Sequence, residues 1–321
     1  MADWPDGHDI DERSLQLGDE LGRGGQGSVH RVLGWSRPLV YKRYTVTGAD
    51  GNALAELVKL PATLSPADRD RLLRETAWPL ARVVQGTQLT GFLMQAIPAQ
   101  YFAPNSAGDI KERQLQYLLF EPKPMWGNIV PVQVTALLRV SVATEFTQLV
   151  YLLHRKGLVI GDVSLMNVLW TPGDPAEVFL IDCDGIRLAG ARAVLPQAET
   201  PDWNDPLQGP SGPDLDTDRY KLALLVGRVL SGNASIRPGQ PLALRADIPD
   251  RIRTQAAALW QRASGPRLTR PDACEWLQTL TARPQIQLGP PPAVRQHAPL
   301  KTAELEHRNP VRPVINLPPI P

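Results

Sequence analysis

Two neighbouring stretches decide the fold: His154, then Gly157-Leu158-Val159-Ile160-Gly161-Asp162-Val163-Ser164-Leu165-Met166-Asn167-Val168-Leu169, and shortly after it Phe179-Leu180-Ile181-Asp182-Cys183-Asp184-Gly185. Short apolar runs alternate here with polar loops, so Leu158–Ile160, Val168–Trp170 and Val178–Ile181 read as short strands. Asp162 and Asn167 bracket the loop between the first two strands, and Asp182 closes the third. Carboxylates and amides at strand ends can simply cap turns. Three of them converging on one loop pair suit hard-cation binding and proton acceptance better.

Upstream, Leu138, Val142, Phe146, Leu149, Val150 and Leu153 recur at steps of three and four, one buried face of a long helix. Arg155, Lys156 and Gly157 fit its C-terminal end. Downstream, Asp218–Leu230 and Ile252–Ala263 read as amphipathic helices. The N-terminal part is β-rich. Leu15–Val32 reads as strand, glycine turn, strand, and Leu39-Val40-Tyr41-Lys42 as a third strand. Ala53–Leu60 is a short helix expected to stop at Pro61, and Ser65-Pro66 opens a second helix reaching Thr76. Arg82-Val83-Val84 and Gly91-Phe92-Leu93-Met94 form a hairpin around Gln85-Gly86. A hinge falls near residue 97, and no internal repeat is visible.

Two more features belong to that β-rich part. Leu21-Gly22-Arg23-Gly24-Gly25-Gln26-Gly27-Ser28-Val29 is a G-x-G-x-x-G turn between strands, where backbone amides can approach phosphate with no Cβ in the way. A strand follows it, where a dinucleotide-binding motif would have a helix. Lys42 then sits inside an apolar strand, where an edge-strand solvent charge is the ordinary explanation.

The bulk numbers bound the rest. A chain of 321 residues implies about two domains or lobes; a formal charge of +1 gives no case for a nucleic-acid or membrane partner. Cys183 and Cys274 cannot build a disulfide framework or zinc cage and read as free thiols of a reducing cytoplasm. No apolar run approaches the ~20 residues of a membrane span, and the acidic start has no signal-peptide core. Many of the 32 prolines crowd the C-terminal end, as in Gly289-Pro290-Pro291-Pro292 and Leu317-Pro318-Pro319. That composition reads as an extended tail, a spacer or a ligand for a groove-binding domain.

Taken in order, the glycine loop, strand lysine, D-x-x-x-x-N and D-x-D/G resemble the signature set of protein kinases, closest to divergent bacterial serine/threonine kinases of the eukaryotic-like (Hanks) type. The resemblance spans roughly residues 15–282. It implies an α+β, bilobal protein-kinase-like fold: an N-terminal extension over 1–14, a β-rich N-lobe over 15–97, a helical C-lobe over 98–282 and a proline-rich tail over 283–321. It implies Mg·ATP (or the Mn²⁺ complex) as cofactor and a protein Ser/Thr hydroxyl as acceptor. By position, Leu21, Gly22, Gly24, Gly27 and Val29 cover the nucleotide and Lys42 holds its phosphates. Met94 is the gatekeeper before the hinge of Gln95, Ala96 and Ile97. Asp162 is the catalytic base; Asn167 and Asp182 are metal ligands. Glu56 is the expected acidic partner of Lys42, with Glu75 as alternative.

Thr200-Pro201-Asp202-Trp203-Asn204-Asp205-Pro206 resembles the segment that receives the substrate peptide. Asp218 matches the helix aspartate that braces the catalytic loop, and Arg270-Pro271 the late R-P pair. There are four departures from the pattern. Gly161 replaces the arginine before the base, and Ser164 a nearby lysine. Cys183-Asp184 replace F-G, and Leu207 replaces the glutamate expected to pair with Arg270. Two rival readings stand beside the kinase: a small-molecule phosphotransferase of the aminoglycoside or choline type, suggested by the D-x-D, and a pseudokinase scaffold.

Overall fold

Alternating, largely apolar segments of the N-terminal part pair into a six-stranded sheet: β1 (Ile10–Asp11), β2 (Gln16–Arg23), β3 (Gly27–Leu33), β4 (Leu39–Tyr44), β5 (Ala81–Gln85) and β6 (Gln88–Gln95). Their spatial order is β1-β5-β6-β4-β3-β2. This computed structural model describes residues 5, 7–131, 133–196 and 200–281; the expected tail, 283–321, lies outside the described residues. The sheet starts earlier than the expected boundary at residue 15. Ile10 and Asp11 run parallel to Val83 and Val84 of β5, and Ile10 packs on the small core formed by Val32, Leu39, Tyr41, Leu80, Val83 and Leu93.

β4 lies between β3 and β6, with Leu39, Val40 and Tyr41 all buried. A strand enclosed on both sides carries its lysine inward, so Lys42 is buried rather than a solvent charge. Between β4 and β5 the chain forms α1 (Gly51–Thr63) and α2 (Pro66–Glu75). Asp50 caps α1 by accepting from the amides of Asn52 and Ala53. Pro61 was expected to end α1 but lies within its last turn. A proline leaves the carbonyl four residues back without its helical donor. Here that carbonyl is Leu57 O, and the buried indole N–H of Trp78 donates to it at 2.8 Å.

The C-terminal part is helical with short strand pairs. Its elements are β7 (Phe102–Pro104), β8 (Ile110–Glu112), α3 (Gln116–Leu119), α4 (Ala136–Arg155), β9 (Leu158–Val159), β10 (Val168–Trp170), β11 (Val178–Leu180), β12 (Arg187–Leu188), α5 (Leu215–Ser231), α6 (Asp250–Ala263) and α7 (Ala273–Leu280). All six apolar residues that define the period of α4 are buried. Leu222 through Val226 and Val229-Leu230 of α5 complete the main core with Trp203, Trp276 and Phe179 of β11. Gly227 lets α5 approach the ring of Trp260 so closely that a Cβ would overlap it. Among the described residues α4 alone is long and apolar enough to cross a membrane; 61% of the relevant window is buried inside the protein, as befits a core helix. The chain is therefore α+β, with a β-rich N-terminal region and a helical C-terminal region.

The small strands matter because they hold loops. β10 pairs antiparallel with β11, and β9 with β12. Asp162, Asn167 and Asp182 leave the ends of these pairs.

Candidate active site

The Asp162 loop is held from below by α5. Asp218, fully buried, accepts from the backbone N–H of Ile160 at 2.6 Å and of Gly161 at 2.8 Å, and bonds His154 Nε2 at 3.2 Å. Lys221, on the same helix, donates to Gly161 O at 2.6 Å. Gly161 itself has φ +76°, a left-handed conformation that disfavours a side chain by roughly 1–2 kcal/mol. The position where the resemblance expected an arginine is thus held by a glycine in a conformation that favours glycine.

Above this brace, the Asp162 carboxylate is oriented at both oxygens. Oδ2 accepts from Asn167 Nδ2 at 2.9 Å, and Oδ1 from the Thr200 hydroxyl at 2.9 Å. Asn167 Nδ2 also donates to Asp162 O at 3.0 Å, which leaves its Oδ1 as the atom suited to a cation. Ser164 is buried and turns the loop by accepting from Met166 N at 3.3 Å.

A second group lies one strand away and is joined to the first through the backbone: Ile181 N donates to Asn167 O at 2.9 Å. Asp182 adopts φ 56°, ψ 42°, and its side chain remains 54% exposed. Lys42 Nζ reaches Asp184 Oδ1 at 2.7 Å and Asp182 Oδ1 at 3.2 Å. Tyr44 OH donates to the other Asp184 oxygen at 3.1 Å. Burial works against the Lys42 ammonium, but Asp184 and then Asp182 outweigh it, and its pKa ends above the ordinary lysine value. Burial and the same Asp184 charge drive the Tyr44 phenol far upward, so it stays a donor. Cys183 points into the core, donating to Leu180 O at 3.3 Å. Burial first, then the flanking aspartates, raise its thiol well beyond reactivity.

The glycine loop divides into two kinds of position. At Gly22, Gly24 and Gly25 an added Cβ would meet nothing within 4 Å, so these glycines face open space. Gly27 differs: a Cβ there would collide with Arg43 O of β4, so its glycine serves sheet packing. Leu21 is exposed on β2, while Val29 packs against the main core. Met94 is buried. Gln95 donates to Leu73 O and, at 2.9 Å, to Thr76 O, and Ala96 N to Pro38 O at 3.0 Å; Ile97 packs against the core beside them.

Two expected pairings are corrected. Neither glutamate reaches Lys42. Glu56 is 64% exposed on α1 and pairs with Lys59, because α1 turns Leu54, Leu57 and Val58 inward instead. Glu75 is engaged by Arg71 at 3.0 Å and Arg74 at 3.1 Å. Arg270 does not lack a carboxylate either. It forms a buried, two-pronged pair with Asp205 at 2.7 and 2.9 Å and lies 3.2 Å from Asp216, while Leu207 is exposed.

Asp184, Asp205 and Lys221 are the residues that sequence reasoning missed. The first two had a signal: each is an acid displaced by two residues from a position already under scrutiny, Asp182 and Leu207. On the far side of Gly161 a cavity of about 670 Å³ opens, lined by Arg187, Ala191 to Pro196, Gly212 and Lys221 among others; it adjoins the Asp162 loop and not the Lys42 group. Among the described residues no cluster of three or more His, Cys, Asp or Glu side chains forms a metal centre. Compared with known proteins, the chain matches no protein-family model and no curated protein.

Proposed function

We propose that the chain is an ATP-dependent serine/threonine protein kinase of bilobal, protein-kinase-like fold. One observation carries the reading: a carboxylate oriented by Asn167 and Thr200, on a loop braced by a buried helix aspartate, is tied through Asn167 O and Ile181 N to the end of β11, where Asp182 meets Lys42 of β4. In this reading Asp162 accepts the proton of an incoming hydroxyl at one of its carboxylate oxygens. The residues fit the cofactor that the motifs imply. Asn167 Oδ1 and the exposed Asp182 carboxylate would hold Mg²⁺ or Mn²⁺, Lys42 the phosphates, and the open glycines Gly22, Gly24 and Gly25 their oxygens. Mg·ATP, when bound, supplies the transferable phosphoryl group and the cation that screens its charge. The absent lysine at Ser164 removes one stabilising donor, a loss of about 10²–10³ in rate, so a slow enzyme is expected.

The direct test is incubation of purified protein with γ-labelled ATP and Mg²⁺ or Mn²⁺, with generic protein acceptors beside aminoglycoside and choline-type small molecules. Label on protein serine or threonine supports the kinase. Label on a small molecule alone would replace it with the second reading, which the acidic pair Asp182 and Asp184 favours. Tight nucleotide binding with no transfer would make the chain a pseudokinase.

A further inference from the structure

We infer that Asp184 is the positioning residue of Lys42, filling the place expected of a helix glutamate. What the lysine then holds rests on the kinase reading above; the pairing itself does not.

The two carboxylates that meet Lys42 are unlike. Asp184 is 4% exposed and carries the shorter contact, 2.7 Å, whereas Asp182 is 54% exposed at 3.2 Å. The Asp184 carboxylate is fixed at both ends, Oδ1 by Lys42 and Oδ2 by the Tyr44 hydroxyl. Both donors belong to β4, which pairs on each side with β3 and β6. Asp184 is thus a built-in anchor, and Asp182 is the oxygen donor free to turn to a cation. Asp184 also lies in the same short turn as Asp182, Cys183–Gly185, so the lysine and the metal carboxylate are tied to one piece of backbone. The helix α1 takes no part. Its Glu56 pairs with Lys59 instead of Lys42.

Removing the Asp184 charge leaves Asp182 as the nearest anion to Lys42. The lysine then competes with the cation for that carboxylate, which a purely structural role for Asp184 would not produce.

The test uses the full chain as wild type, Asp184→Asn, Asp184→Glu, Tyr44→Phe, Glu56→Gln and Glu75→Gln, each checked by thermal melt. First, without nucleotide, acylation of Lys42 by a small amine reagent is followed by mass spectrometry at one fixed pH, as a reading of how firmly its amine is held. Asp184→Asn is expected to label several-fold faster, because the lysine loses the shorter of its two carboxylate contacts and its amine is no longer held. Asp184→Glu and both glutamine variants should behave as wild type. Second, Mg²⁺ is titrated against binding of a fluorescent ATP analogue. Asp184→Asn is expected to need about tenfold more Mg²⁺ for half-saturation and to recover at high Mg²⁺, unlike Lys42→Met. Should Asp184→Asn not fold, Tyr44→Phe carries the test, with a two- to threefold effect expected in both readouts. Unchanged labelling and Mg²⁺ demand in the folded variants, or a Glu56→Gln effect as large as that of Asp184→Asn, overturns the inference. Labelling that splits as expected in a wild type that binds no nucleotide upholds the pairing and overturns the kinase reading instead.

Discussion

Replacing Asp205 by alanine strips a buried arginine of its two-pronged partner, and the structure fixes how much that should hurt. Arg270 and Asp205 are both buried, with contacts of 2.7 and 2.9 Å. Breaking such a pair from one side costs about 3–5 kcal/mol, because the surviving charge stays buried without compensation. Here Asp216 Oδ2 remains 3.2 Å from Arg270 and its carbonyl accepts at 3.1 Å, which places the loss near the lower limit, about 3 kcal/mol. For a unit of this size each kcal/mol moves the melting point by about 2–4 °C, so a fall of roughly 6–12 °C is expected. Differential scanning calorimetry of the full chain reads it directly. Two comparators sharpen the result. Leu207→Glu, restoring the motif glutamate at an exposed site, should stay within about 0.5 kcal/mol. The double variant Asp205→Leu/Arg270→Met should recover most of the loss, since an apolar pair can stand in for a buried ion pair. A melting shift of under about 2 °C for Asp205→Ala, or a stabilising Leu207→Glu, would refute the assignment of Asp205 as the arginine's partner.

Other outcomes follow from the same geometry. Lys42→Met should abolish transfer and, because Asp184 is then buried without its cation, also destabilise by roughly 3 kcal/mol; activity assays beside a thermal melt check both. Asp162→Asn should keep nucleotide affinity while kcat falls about 10²–10⁴-fold, whereas Asp182→Asn should weaken nucleotide binding only when magnesium is present, a contrast that titration with and without the metal reveals. Thr200→Val should lower kcat about tenfold by removing the hydrogen bond to Asp162. Protein from a phosphatase-rich host should match protein pre-incubated with ATP, because Gly161 offers no side chain to grip a phosphate. Strong activation on pre-incubation with phosphate mapped to Thr200 would contradict that.

Much of this was legible in the chain itself, for identifiable reasons. The period of α4, the short strands around Asp162 and the strand nature of Leu39–Lys42 follow from local apolar patterning, whereas the enclosure of that strand between β3 and β6 does not. Asp218 was expected as the loop's brace from the resemblance alone, and it does bond the Ile160 and Gly161 amides. Partnerships across the fold were less readable. Glu56 was expected at Lys42 from its position on the first helix, but helix rotation decides which face turns inward, and Leu54, Leu57 and Val58 took that face. Asp184 and Asp205 reach their partners through backbone turns, including the left-handed Asp182, that no spacing rule anticipates. Pro61 stays inside α1 because a tryptophan many residues later supplies the missing donor, a compensation visible only in three dimensions.

The placing of β4 also sets the tempo at which the candidate site can breathe. On one flank Gly27 admits Arg43 O, and on the other Gly91 admits Lys42 O, in each case closer than a Cβ would allow. Backbone amides enclosed in this way exchange with solvent only when the whole unit opens. β2 is the edge strand and largely exposed, with register shifts along its pairing to β3, so its amides open by local fraying at far lower free energy. Deuterium uptake should therefore run in a gradient across three neighbouring strands, fast in β2 and slowest in β4. The glycine-rich edge can lift and settle many times over while the lysine beneath it keeps its place.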